Sequence, residues 1–382
     1  MFHDKTNLSM IIGFEAKRLF QNFSGLGNYS RNTVNLLARF YPENRYLLFA
    51  PKLTTLFIPP QSVEVISPQS KFFKRFRSYW RMYRVAGLAK KYNADIFHGL
   101  SHILPVGIEK KGIPTVVTIH DLIFLRFPEF YRQIDRKFYY HNTLSSCRRC
   151  TKILAISHQT KEDIINYLGI EEEKIEVIHQ SCDKRFYEPV DEEQKAYVRD
   201  KYNLPEKFIL CVGTIEQRKN QLAILKGVVS EKLTIAIVLL GKPTDYKKLL
   251  DEFIIESGIR KQLIFLHNTD FSDLQAIYQL AGIMVYPSFF EGFGLPVLEA
   301  QASGCPVITS NISSMPEAGG DGAVYVDPAN SSEIGLAIRK ILTDNKFKEE
   351  LIQKGTANAL LFNDQAVGEK LVKLYQSLVK QN

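Results

Sequence analysis

The sequence has few cysteines and no long apolar run. Its five cysteines are odd in number and scattered, which argues against a disulfide framework. Cys147 and Cys150 form a lone C-x-x-C pair without the second pair that a four-ligand zinc site needs. The longest apolar stretch, residues 233–241, is strand-sized and falls short of the ~20 residues that span a bilayer. The first ten residues lack the basic-then-apolar pattern of a secretory signal, so we expect a cytoplasmic protein.

Acidic residues are outnumbered by basic ones, giving a formal net charge of +8. The excess is concentrated in residues 71–84, KFFKRFRSYWRMYR, where six cations alternate with six aromatic residues. Two interpretations stay open for this segment. It is either a surface helix whose aromatic residues pack into the core, or a peripheral contact with an anionic membrane surface. No nucleic-acid recognition motif accompanies the charge, so we expect no nucleic-acid partner.

Short apolar runs recur along the chain, each closed by turn residues and followed by a longer helix-like stretch. This alternation predicts a doubly wound α/β fold, and runs that are apolar throughout are typical of strands covered on both faces of a parallel sheet. A polar stretch at residues 180–207 interrupts the series, which predicts an N-terminal domain at 1–188 and a second domain at 189–364. The predicted strands cover residues 11–16, 46–50, 63–67, 95–99, 115–121, 152–157, 175–179, 208–214, 233–241, 262–268, 283–288, 306–311 and 323–328.

The segment after the run at 283–288 carries the strongest functional signal. The letters EGFGLPVLEA, residues 291–300, predict a glycine-rich turn that opens a helix with Pro296 at its first position. Such a loop at the carboxyl end of a strand offers backbone N–H groups and a helix dipole to a diphosphate. We expect Glu299 to accept hydrogen bonds from ribose hydroxyls and Glu291 from hydroxyls of a sugar. The other candidate donor-binding residues of this loop are Gly292, Phe293, Gly294, Leu295 and Val297.

These residues resemble a known family. Glu291 and Glu299, with the FGLP turn between them and GCPVITSN at 304–311, resemble the E-x7-E signature of the retaining family 4 glycosyltransferases. The letters HDLIFLRFPEFY at 120–131 are similar to the bacterial O-antigen mannosyltransferase subgroup. The resemblance implies the GT-B architecture, two Rossmann-like doubly wound parallel-sheet domains with a cleft between them. It also implies that a last helix, about 365–382, packs back on the first domain.

A second loop, CVGTIEQRKNQ at 211–221, supplies two cations. Gly213 permits a tight turn after the strand, and the resemblance implies that Lys219 grips the donor diphosphate. Many family members carry an arginine directly after the glycine, where this chain has Thr214. Arg218 is the candidate to replace that arginine, because a guanidinium group bridges phosphate oxygens with two hydrogen bonds.

Four further positions complete the predicted donor site. Gly25 and Gly27, in QNFSGLGNYSRN, read as a phosphate-approach loop between a strand and a helix, although this pattern alone fits a dinucleotide fold equally well. The resemblance implies that this loop faces the donor phosphates and that the stretch beginning near Asn268 borders the nucleobase. Glu317 matches a later helix start of the family, where a helix cap and a ligand contact are both open.

Three residues at strand ends of the first domain are also candidates. His120 closes the apolar run TVVTIHD, and the resemblance implies that it lies near the donor sugar and the acceptor. Asp121 follows it directly, and His98 ends the run DIFHG.

The resemblance implies retaining transfer of a hexose, best matched by mannose from GDP-mannose, to a glycan or polyprenyl-linked acceptor in bacterial surface polysaccharide synthesis. UDP- and ADP-sugars stay open as donors. No Asp-x-Asp motif stands at a strand end, so we expect no metal and no other cofactor beside the nucleotide-sugar. The residues assigned to catalysis are His120, Glu291, Lys219 and Arg218.

Three other functions stay open. A GT-B nucleotide-sugar epimerase has the same architecture but needs no acceptor. A nicotinamide-dependent oxidoreductase needs a full G-x-G-x-x-G, whereas GLGNYS stops at two glycines. A catalytically silent sugar-nucleotide-binding protein shares the binding residues.

Overall fold

The structure, a computed structural model, describes residues 9–380. Of the N-terminal stretch that we tested for a secretory signal, residues 1–8 lie outside that range. The described chain forms two compact units, one running to Gln180 and resuming at Asp364, the other comprising Ser181–Asn363. Among residues 9–380, no helix is long and apolar enough to cross a membrane.

The two units divide at Gln180, whereas we predicted a boundary near residue 188. The segment between these positions packs into the second unit for a physical reason. Phe186 is completely buried, the Tyr187 hydroxyl donates to the carbonyl of Ala359 (2.7 Å), and the Cys182 N–H donates to the carbonyl of Phe362 (2.9 Å).

Each unit contains one fully parallel sheet. The first sheet has seven strands in the order β3-β2-β1-β4-β5-β6-β7, and the second has six in the order β10-β9-β8-β11-β12-β13. All thirteen predicted strands are confirmed. They are β1 Ile11–Glu15, β2 Arg45–Phe49, β3 Val63–Ile66, β4 Ile96–Gly99, β5 Thr115–Ile119, β6 Lys152–Ala155, β7 Ile175–Val177, β8 Phe208–Val212, β9 Ala236–Leu240, β10 Leu263–Leu266, β11 Ile283–Tyr286, β12 Val307–Ser310 and β13 Ala323–Val326.

Helices connect the strands and cover both faces of each sheet. Every residue of β5 and β8 is therefore buried, as expected for central parallel strands. The helices are α1 Lys17–Gln21, α2 Gly25–Phe40, α3 Lys71–Arg75, α4 Arg77–Tyr79, α5 Val85–Lys91, α6 Ile123–Arg126, α7 Gln133–Arg149, α8 His158–Leu168, α9 Glu192–Tyr202, α10 Gln221–Ser230, α11 Lys247–Ser257, α12 Leu274–Leu280, α13 Leu295–Ala302, α14 Met315–Gly319, α15 Ser331–Thr343, α16 Asn345–Leu360 and α17 Asp364–Lys380.

The final helix α17 returns to the first unit. It packs against α2 and β4, and its Tyr375 hydroxyl lies 2.7 Å from Nδ1 of His98 on β4. At the start of α17, Asp364 accepts a hydrogen bond from Asn32 of α2 (3.1 Å).

The strand order places the functional loops. In a doubly wound sheet, ligands bind beyond the carboxyl ends of the strands at the point where the strand order reverses. The order reverses between β1 and β4 in the first sheet and between β8 and β11 in the second. The loops after β8 and β11 hold the residues predicted to bind the donor, and adjacent strands bring these loops side by side.

Candidate active site

The glycine-rich loop after β11 leads directly into α13. Helix α13 begins at Leu295, so Pro296 occupies its second position and not the predicted first. The helix starts earlier because the Val297 N–H closes a turn on the carbonyl of Gly294 (2.9 Å). Gly294 has a φ of +122°, and a Cβ there would lie 2.7 Å from Cε of Met315, so only glycine fits this position.

Two serines beyond β12 fix the conformation of the loop. The Ser314 hydroxyl lies 2.8 Å from the carbonyl oxygens of both Glu291 and Phe293. The Ser313 hydroxyl accepts from the Glu291 N–H (3.2 Å) and lies 3.1 Å from the Glu291 carbonyl. The backbone that carries Glu291 is therefore held on both sides before any ligand arrives.

The carboxylate of Glu291 is the centre of a dense polar cluster. Its Oε1 atom lies 2.8 Å from Nζ of Lys219 and 2.8 Å from a guanidinium nitrogen of Arg218. The hydroxyls of Tyr286 and Ser288 donate to the same oxygen, each at 2.8 Å. Lys219 also donates to the Tyr286 hydroxyl. The residues predicted to act on phosphate and on sugar thus meet at one oxygen atom.

The charges of this cluster stabilise one another. Burial opposes ionisation of Glu291, but the adjacent Lys219 and Arg218 outweigh it and hold the pKa of the Glu291 carboxyl well below its ordinary value. Burial opposes the charge of Arg218 in the same way, and Glu291 and Glu216 outweigh it and raise the pKa of that guanidinium. The cluster therefore carries two cations and a carboxylate at neutral pH.

The loop after β8 guides Lys219 to this position. Gly213 has a φ of +124°, and a Cβ there would lie 2.9 Å from Cδ and Cε of Lys219. A side chain at Gly213 would therefore occupy the path of the lysine. The Thr214 carbonyl accepts from the Gln221 amide (3.0 Å), which holds the turn in place. Arg218 reaches the same carboxylate as Lys219, and it also donates to the carbonyl of Phe290 and pairs with Glu216 (2.6 Å).

Glu299, the second glutamate of the signature, has its own partner. It lies on α13, and its Oε2 atom accepts a hydrogen bond from the Tyr278 hydroxyl of α12 (2.9 Å). Burial raises the pKa of Glu299 to about 7. The Tyr278 hydrogen bond lowers this pKa, the Asp183 charge raises it and the Arg185 charge lowers it. Glu291 in the loop after β11 and Glu299 in α13 are thus each held by a tyrosine.

Several predicted donor-binding residues have side chains in the core. Phe293 packs against Phe362, with ring centroids 5.5 Å apart, and the side chain of Val297 is fully buried. Gly292 is buried and Leu295 is half-buried. Only the backbone of Phe293 and Val297 could meet a donor, and the Val297 N–H already closes a turn.

Asn268 lies apart from the cluster. It is exposed in the turn after β10, the edge strand of the second sheet, and within residues 9–380 no hydrogen bond joins it to Glu291 or Lys219. Glu317 lies in the first turn of the short helix α14.

The structure corrects the expected loop at Gly25 and Gly27. Helix α2 begins at Gly25, so both glycines belong to its first turn and not to a loop before it. The Gly27 N–H is already bonded to the Ser24 carbonyl (2.9 Å) and to Oδ1 of Asn22 (3.2 Å). A Cβ at Gly27 would lie 1.9 Å from the Asn22 carbonyl oxygen, whereas a Cβ at Gly25 would meet open space. Close backbone packing therefore explains Gly27.

His120 is buried, and the protein satisfies both of its ring nitrogens. Its Nε2 lies 2.9 Å from the carbonyl oxygen of Leu100, and the Gln180 amide lies 3.0 Å from Nδ1. The Leu100 carbonyl can only accept, so Nε2 carries a proton, and the Gln180 NH2 group can only donate, so Nδ1 is the unprotonated acceptor and the ring is neutral. Burial, with the nearby His102, lowers the pKa of His120 to about 3. The neighbouring Asp121 accepts from the Ile123 N–H (3.1 Å) at the start of α6.

His98 has a structural position. Its Nδ1 faces the Tyr375 hydroxyl and its Nε2 faces the Thr118 hydroxyl, each at 2.7 Å, so it joins α17 to the first sheet. Burial lowers the pKa of His98 to about 3. We therefore no longer count His98 as a site residue.

The first unit is expected to lose stability as the pH falls from about 7 to 5. In that range the unfolded chain protonates His98, His102 and His120, whose ordinary pKa is 6.5, while the folded unit does not, because burial lowers their pKa values to about 3, 4 and 3. Each histidine should lower the free energy of unfolding by roughly 2 kcal/mol. Urea unfolding at pH 7, 6 and 5, followed through the fluorescence of the only tryptophan, Trp80 of the first unit, tests this.

The His98→Gln variant provides the control for this prediction, because it removes one of the three titrating groups. It should show about two-thirds of the wild-type pH dependence. An unfolding free energy that stays constant between pH 7 and pH 5 would contradict the buried neutral state of these histidines.

The sequence analysis missed several residues that shape the site. Tyr278, Tyr286 and Ser288 donate to the two glutamates, and the serines 313 and 314 fix the loop. Asn220, in a left-handed conformation (φ +59°), donates to the carbonyl oxygens of Pro287 (3.2 Å) and Pro328 (2.7 Å). The one available signal was the position of Tyr286 and Ser288 at the end of an apolar run.

Comparison with known proteins places this architecture in a family. Residues 194–358 match the model described as "Glycosyl transferases group 1", and residues 23–185 match "Glycosyltransferase Family 4". The O-antigen chain mannosyltransferase B of Escherichia coli is 30% identical over 305 residues, which is 77% of this chain and 77% of that protein. The O-antigen chain mannosyltransferase RfbU of Salmonella typhimurium is 31% identical over 267 residues, 69% of each chain.

A solved structure shows the same fold. The structure of Anabaena Alr3699/HepE in complex with UDP superposes with a TM-score of 0.73 at 16% identity, covering 97% of this chain and 100% of that one. Together with the paired parallel sheets and the E-x7-E loop, these matches show that the chain belongs to the family 4 glycosyltransferases of the GT-B fold.

Proposed function

We propose that this glycosyltransferase moves a hexose from a nucleoside-diphosphate sugar to a glycan or polyprenyl-linked acceptor, and that it retains the anomeric configuration. The observation that carries the proposal is the cluster in which Lys219, Arg218 and Glu291 meet beside the N-terminus of α13. Mannose from GDP-mannose is the best match, because two relatives at 30–31% identity are O-antigen mannosyltransferases.

The cations of the cluster would bind the donor diphosphate. Lys219 and Arg218 are held in place by Glu291, so they require little reorganisation when negative charge builds on the departing diphosphate. The N-terminus of α13 adds its dipole to the same charge. With no Asp-x-Asp motif at a strand end, these groups would do the work of a divalent cation, and we propose transfer that needs no metal.

One oxygen of Glu291 would bind the sugar. All four protein contacts of this carboxylate are made to Oε1. Within residues 9–380, Oε2 receives no hydrogen bond and is not closed off from solvent. It therefore offers a fixed, ionised acceptor to a hydroxyl of the donor sugar.

Retention would follow from a same-face displacement. The bond between the anomeric carbon and the phosphate oxygen breaks, the acceptor oxygen bonds to that carbon from the same face, and the departing phosphate takes the acceptor proton. A double displacement would need a carboxylate nucleophile on the far face of the sugar, and Glu291 is assigned to the sugar hydroxyls, so we propose the same-face route. His120 is kept as a proposed catalytic residue on the family resemblance, with a neutral ring whose two nitrogens are both hydrogen-bonded.

Thermal-shift binding of GDP, UDP and ADP, each with and without EDTA, tests the donor and the metal independence. A nucleotide at ~100 times its dissociation constant should add roughly 2.7 kcal/mol of stability. We expect a shift with GDP that EDTA leaves unchanged. A shift with UDP alone would replace mannose donors by UDP-sugars, and a shift that EDTA removes would contradict metal independence.

Product analysis separates the alternative functions. With GDP-mannose and no acceptor, an epimerase would change the sugar of the donor, whereas a transferase would return it unchanged or slowly release the sugar to water. A protein that binds the nucleotide and does neither, even with a glycan acceptor, would be the catalytically silent binder.

We also propose a peripheral membrane contact through residues 71–84. This segment is not one continuous helix, because Phe76 leaves the helical conformation between α3 and α4. Trp80 is buried, and Arg81 makes two hydrogen bonds to Glu15 (2.6 and 2.9 Å), which anchors the segment to the core. Four aromatic side chains face solvent instead of the core: Phe72 (57% exposed), Phe76 (49%), Tyr79 (49%) and Tyr83 (57%).

The charged residues of this stretch of sequence have one sign. No aspartate or glutamate occurs between Glu64 and Asp95, and Arg75 and Arg77 are exposed. A surface that combines exposed aromatic rings with exposed cations is typical of proteins that bind anionic lipid surfaces.

Reversing two charges of this segment should weaken membrane binding. The variant Arg75→Glu with Arg77→Glu should lose cosedimentation with vesicles that contain about one-third anionic lipid, because each cation near such a surface contributes roughly 1 kcal/mol. The matched control is Lys226→Glu with Lys346→Glu, which makes the same charge change at exposed positions of the second unit. Equal binding of the two variants would contradict the proposed contact.

A further inference from the structure

We propose that Tyr286 and Tyr278 are positioning residues for the donor site. Each holds one oxygen of a signature glutamate, Tyr286 on Glu291 and Tyr278 on Glu299, so that the other oxygen is presented to the donor. The inference rests on the proposed function, because it assumes that Glu291 and Glu299 bind the sugar and the ribose.

Tyr286 stands between the two charges of the cluster. It is the last residue of β11, and its side chain is fully buried. Its hydroxyl accepts a hydrogen bond from Lys219 and donates to Oε1 of Glu291 (2.8 Å). The Lys219 ammonium also lies 4.8 Å from the centre of the Tyr286 ring. The hydroxyl therefore helps to hold the Glu291 carboxylate in the orientation in which Oε1 faces the cations.

Tyr278 makes the same contact with Glu299. It lies on α12, its side chain is fully buried, and its hydroxyl donates to Oε2 of Glu299 (2.9 Å). Its ring is fixed against Phe186, with the ring centroids 5.6 Å apart and the planes at 84°. Among the described residues no hydrogen bond to Oε1 of Glu299 is present, so this oxygen is the one that a ribose hydroxyl can reach.

Both hydroxyls stay protonated in the range where the enzyme works. Burial and the adjacent glutamate raise the pKa of Tyr286 and of Tyr278 well above the ordinary value of a tyrosine. Each hydroxyl is therefore a permanent donor, and among residues 9–380 it donates to the carboxylate of its own glutamate alone. A phenylalanine would keep the ring packing and remove only the donor, which makes Tyr→Phe a clean test.

The two tyrosines predict different defects. Without the Tyr286 hydroxyl, Glu291 keeps Lys219, Arg218 and Ser288 but loses one of its four contacts. The sugar therefore meets a less firmly held acceptor, while the diphosphate keeps Lys219 and Arg218. The Tyr286→Phe variant should therefore bind GDP with wild-type affinity. Its affinity for GDP-mannose should be about tenfold lower than that of wild type. UDP and UDP-glucose, measured in parallel, give the same comparison for a UDP-specific enzyme.

Tyr278→Phe should change the pH dependence of nucleotide binding. Glu299, whose pKa is about 7, accepts from the ribose as a carboxylate, so binding weakens as the pH falls through that value. The Tyr278 hydrogen bond lowers the pKa of Glu299, Asp183 raises it and Arg185 lowers it. Removing the hydroxyl raises the pKa further, so the loss of GDP affinity should begin at a higher pH, by about half a unit or more.

Calorimetric titrations with GDP and GDP-mannose between pH 6 and pH 9 measure both effects. Tyr46→Phe is the matched control, because Tyr46 is equally buried but donates to the backbone carbonyl of Leu37 (2.9 Å) in the first unit. A Tyr286→Phe variant with the wild-type ratio of GDP-mannose to GDP affinity, or a Tyr278→Phe variant with the wild-type pH midpoint, overturns the assignment of that residue.

The Glu299→Ala variant separates this inference from the proposed function. If Glu299→Ala weakens GDP binding and Tyr278→Phe leaves its pH profile unchanged, the positioning role fails and the ribose role stands. If Glu299→Ala binds GDP like wild type, the ribose role itself is wrong. Wild-type protein that binds neither GDP nor UDP overturns the proposed donor and, with it, this inference.

Discussion

Glu291→Ala is expected to abolish sugar transfer while nucleotide affinity stays close to that of wild type. Under the proposed function the carboxylate binds the sugar and not the base or ribose, and Lys219 and Arg218, which pair with it here, remain available to the diphosphate. Losing a fixed charged acceptor at the reacting sugar should lower kcat by at least about a hundredfold. Release of GDP from GDP-mannose in the presence of acceptor measures the turnover, and calorimetry with GDP measures the affinity.

The stability of this variant must be measured beside its activity. Removing one partner of a buried ion pair costs up to about 3–5 kcal/mol, and Glu291 pairs with two cations. Arg218 keeps Glu216 and the Phe290 carbonyl, so Lys219 is the cation left without a counter-charge. We therefore expect a lower melting temperature for the second unit, while the stabilisation by a given concentration of GDP stays close to that of wild type.

Glu291→Gln is the control for this destabilisation. Its amide oxygen can still accept from Tyr286 and Ser288, and it preserves the shape of the loop while removing the charge. A folded Glu291→Gln protein with near-native turnover would show that the ionised carboxylate is not needed, and the assignment of Glu291 would be wrong.

The sheets were predictable from the sequence because parallel strands buried on both faces appear in it as short runs of apolar residues. The run TVVTIHD predicted β5, whose five residues are all buried, and FILCVGT predicted β8 in the same way. The start of α2 was not predictable from Gly25 and Gly27, since a glycine pair is equally compatible with a loop and with a first helical turn. The hydrogen bonds of Asn22 and Ser24 to the Gly27 N–H decided between them.

The site was predictable as separate motifs but not as one cluster. Glu291 and Lys219 are 72 residues apart in sequence, and they meet only because β8 and β11 are neighbours. Strand order is a property of the whole sheet, and no local pattern states it. Tyr286 was missed for the same reason. From the sequence, a tyrosine at the end of an apolar strand cannot be distinguished from a core residue, because its role depends on the loop of the neighbouring strand.

Residues 71–84 show how local patterns fall short in another way. The sequence allowed either buried or exposed aromatic side chains, and the structure divides them. Trp80 is buried and four others are exposed, while Arg81 turns inward because Glu15 at the end of β1 offers a buried carboxylate. The inward orientation of Arg81 depends on Glu15, which lies 66 residues away in the sequence.

Lys219→Ala is expected to impair both the binding of the diphosphate and catalysis. A charge-assisted hydrogen bond contributes about 1.5–3 kcal/mol, so GDP affinity should fall roughly 10- to 100-fold. Turnover should fall by about 10²–10³, because the charge on the departing diphosphate is largest in the transition state. GMP is the matched ligand, since it lacks the second phosphate. Its affinity should change much less than that of GDP.

The same titrations on Arg218→Ala test whether Arg218 takes the role of the arginine that many family members carry at the position of Thr214. Arg218 and Lys219 contact the same carboxylate oxygen, each at 2.8 Å. A diphosphate that replaces Glu291 at one of these cations would therefore lie beside the other cation as well. Loss of GDP affinity comparable to that of Lys219→Ala, with GMP little affected, would assign both cations to the diphosphate. If Arg218→Ala keeps wild-type GDP affinity, Lys219 alone binds the diphosphate. Arg218 then has the role of holding Glu291 and the Phe290 backbone. Loss of that role would weaken sugar binding and leave nucleotide binding intact.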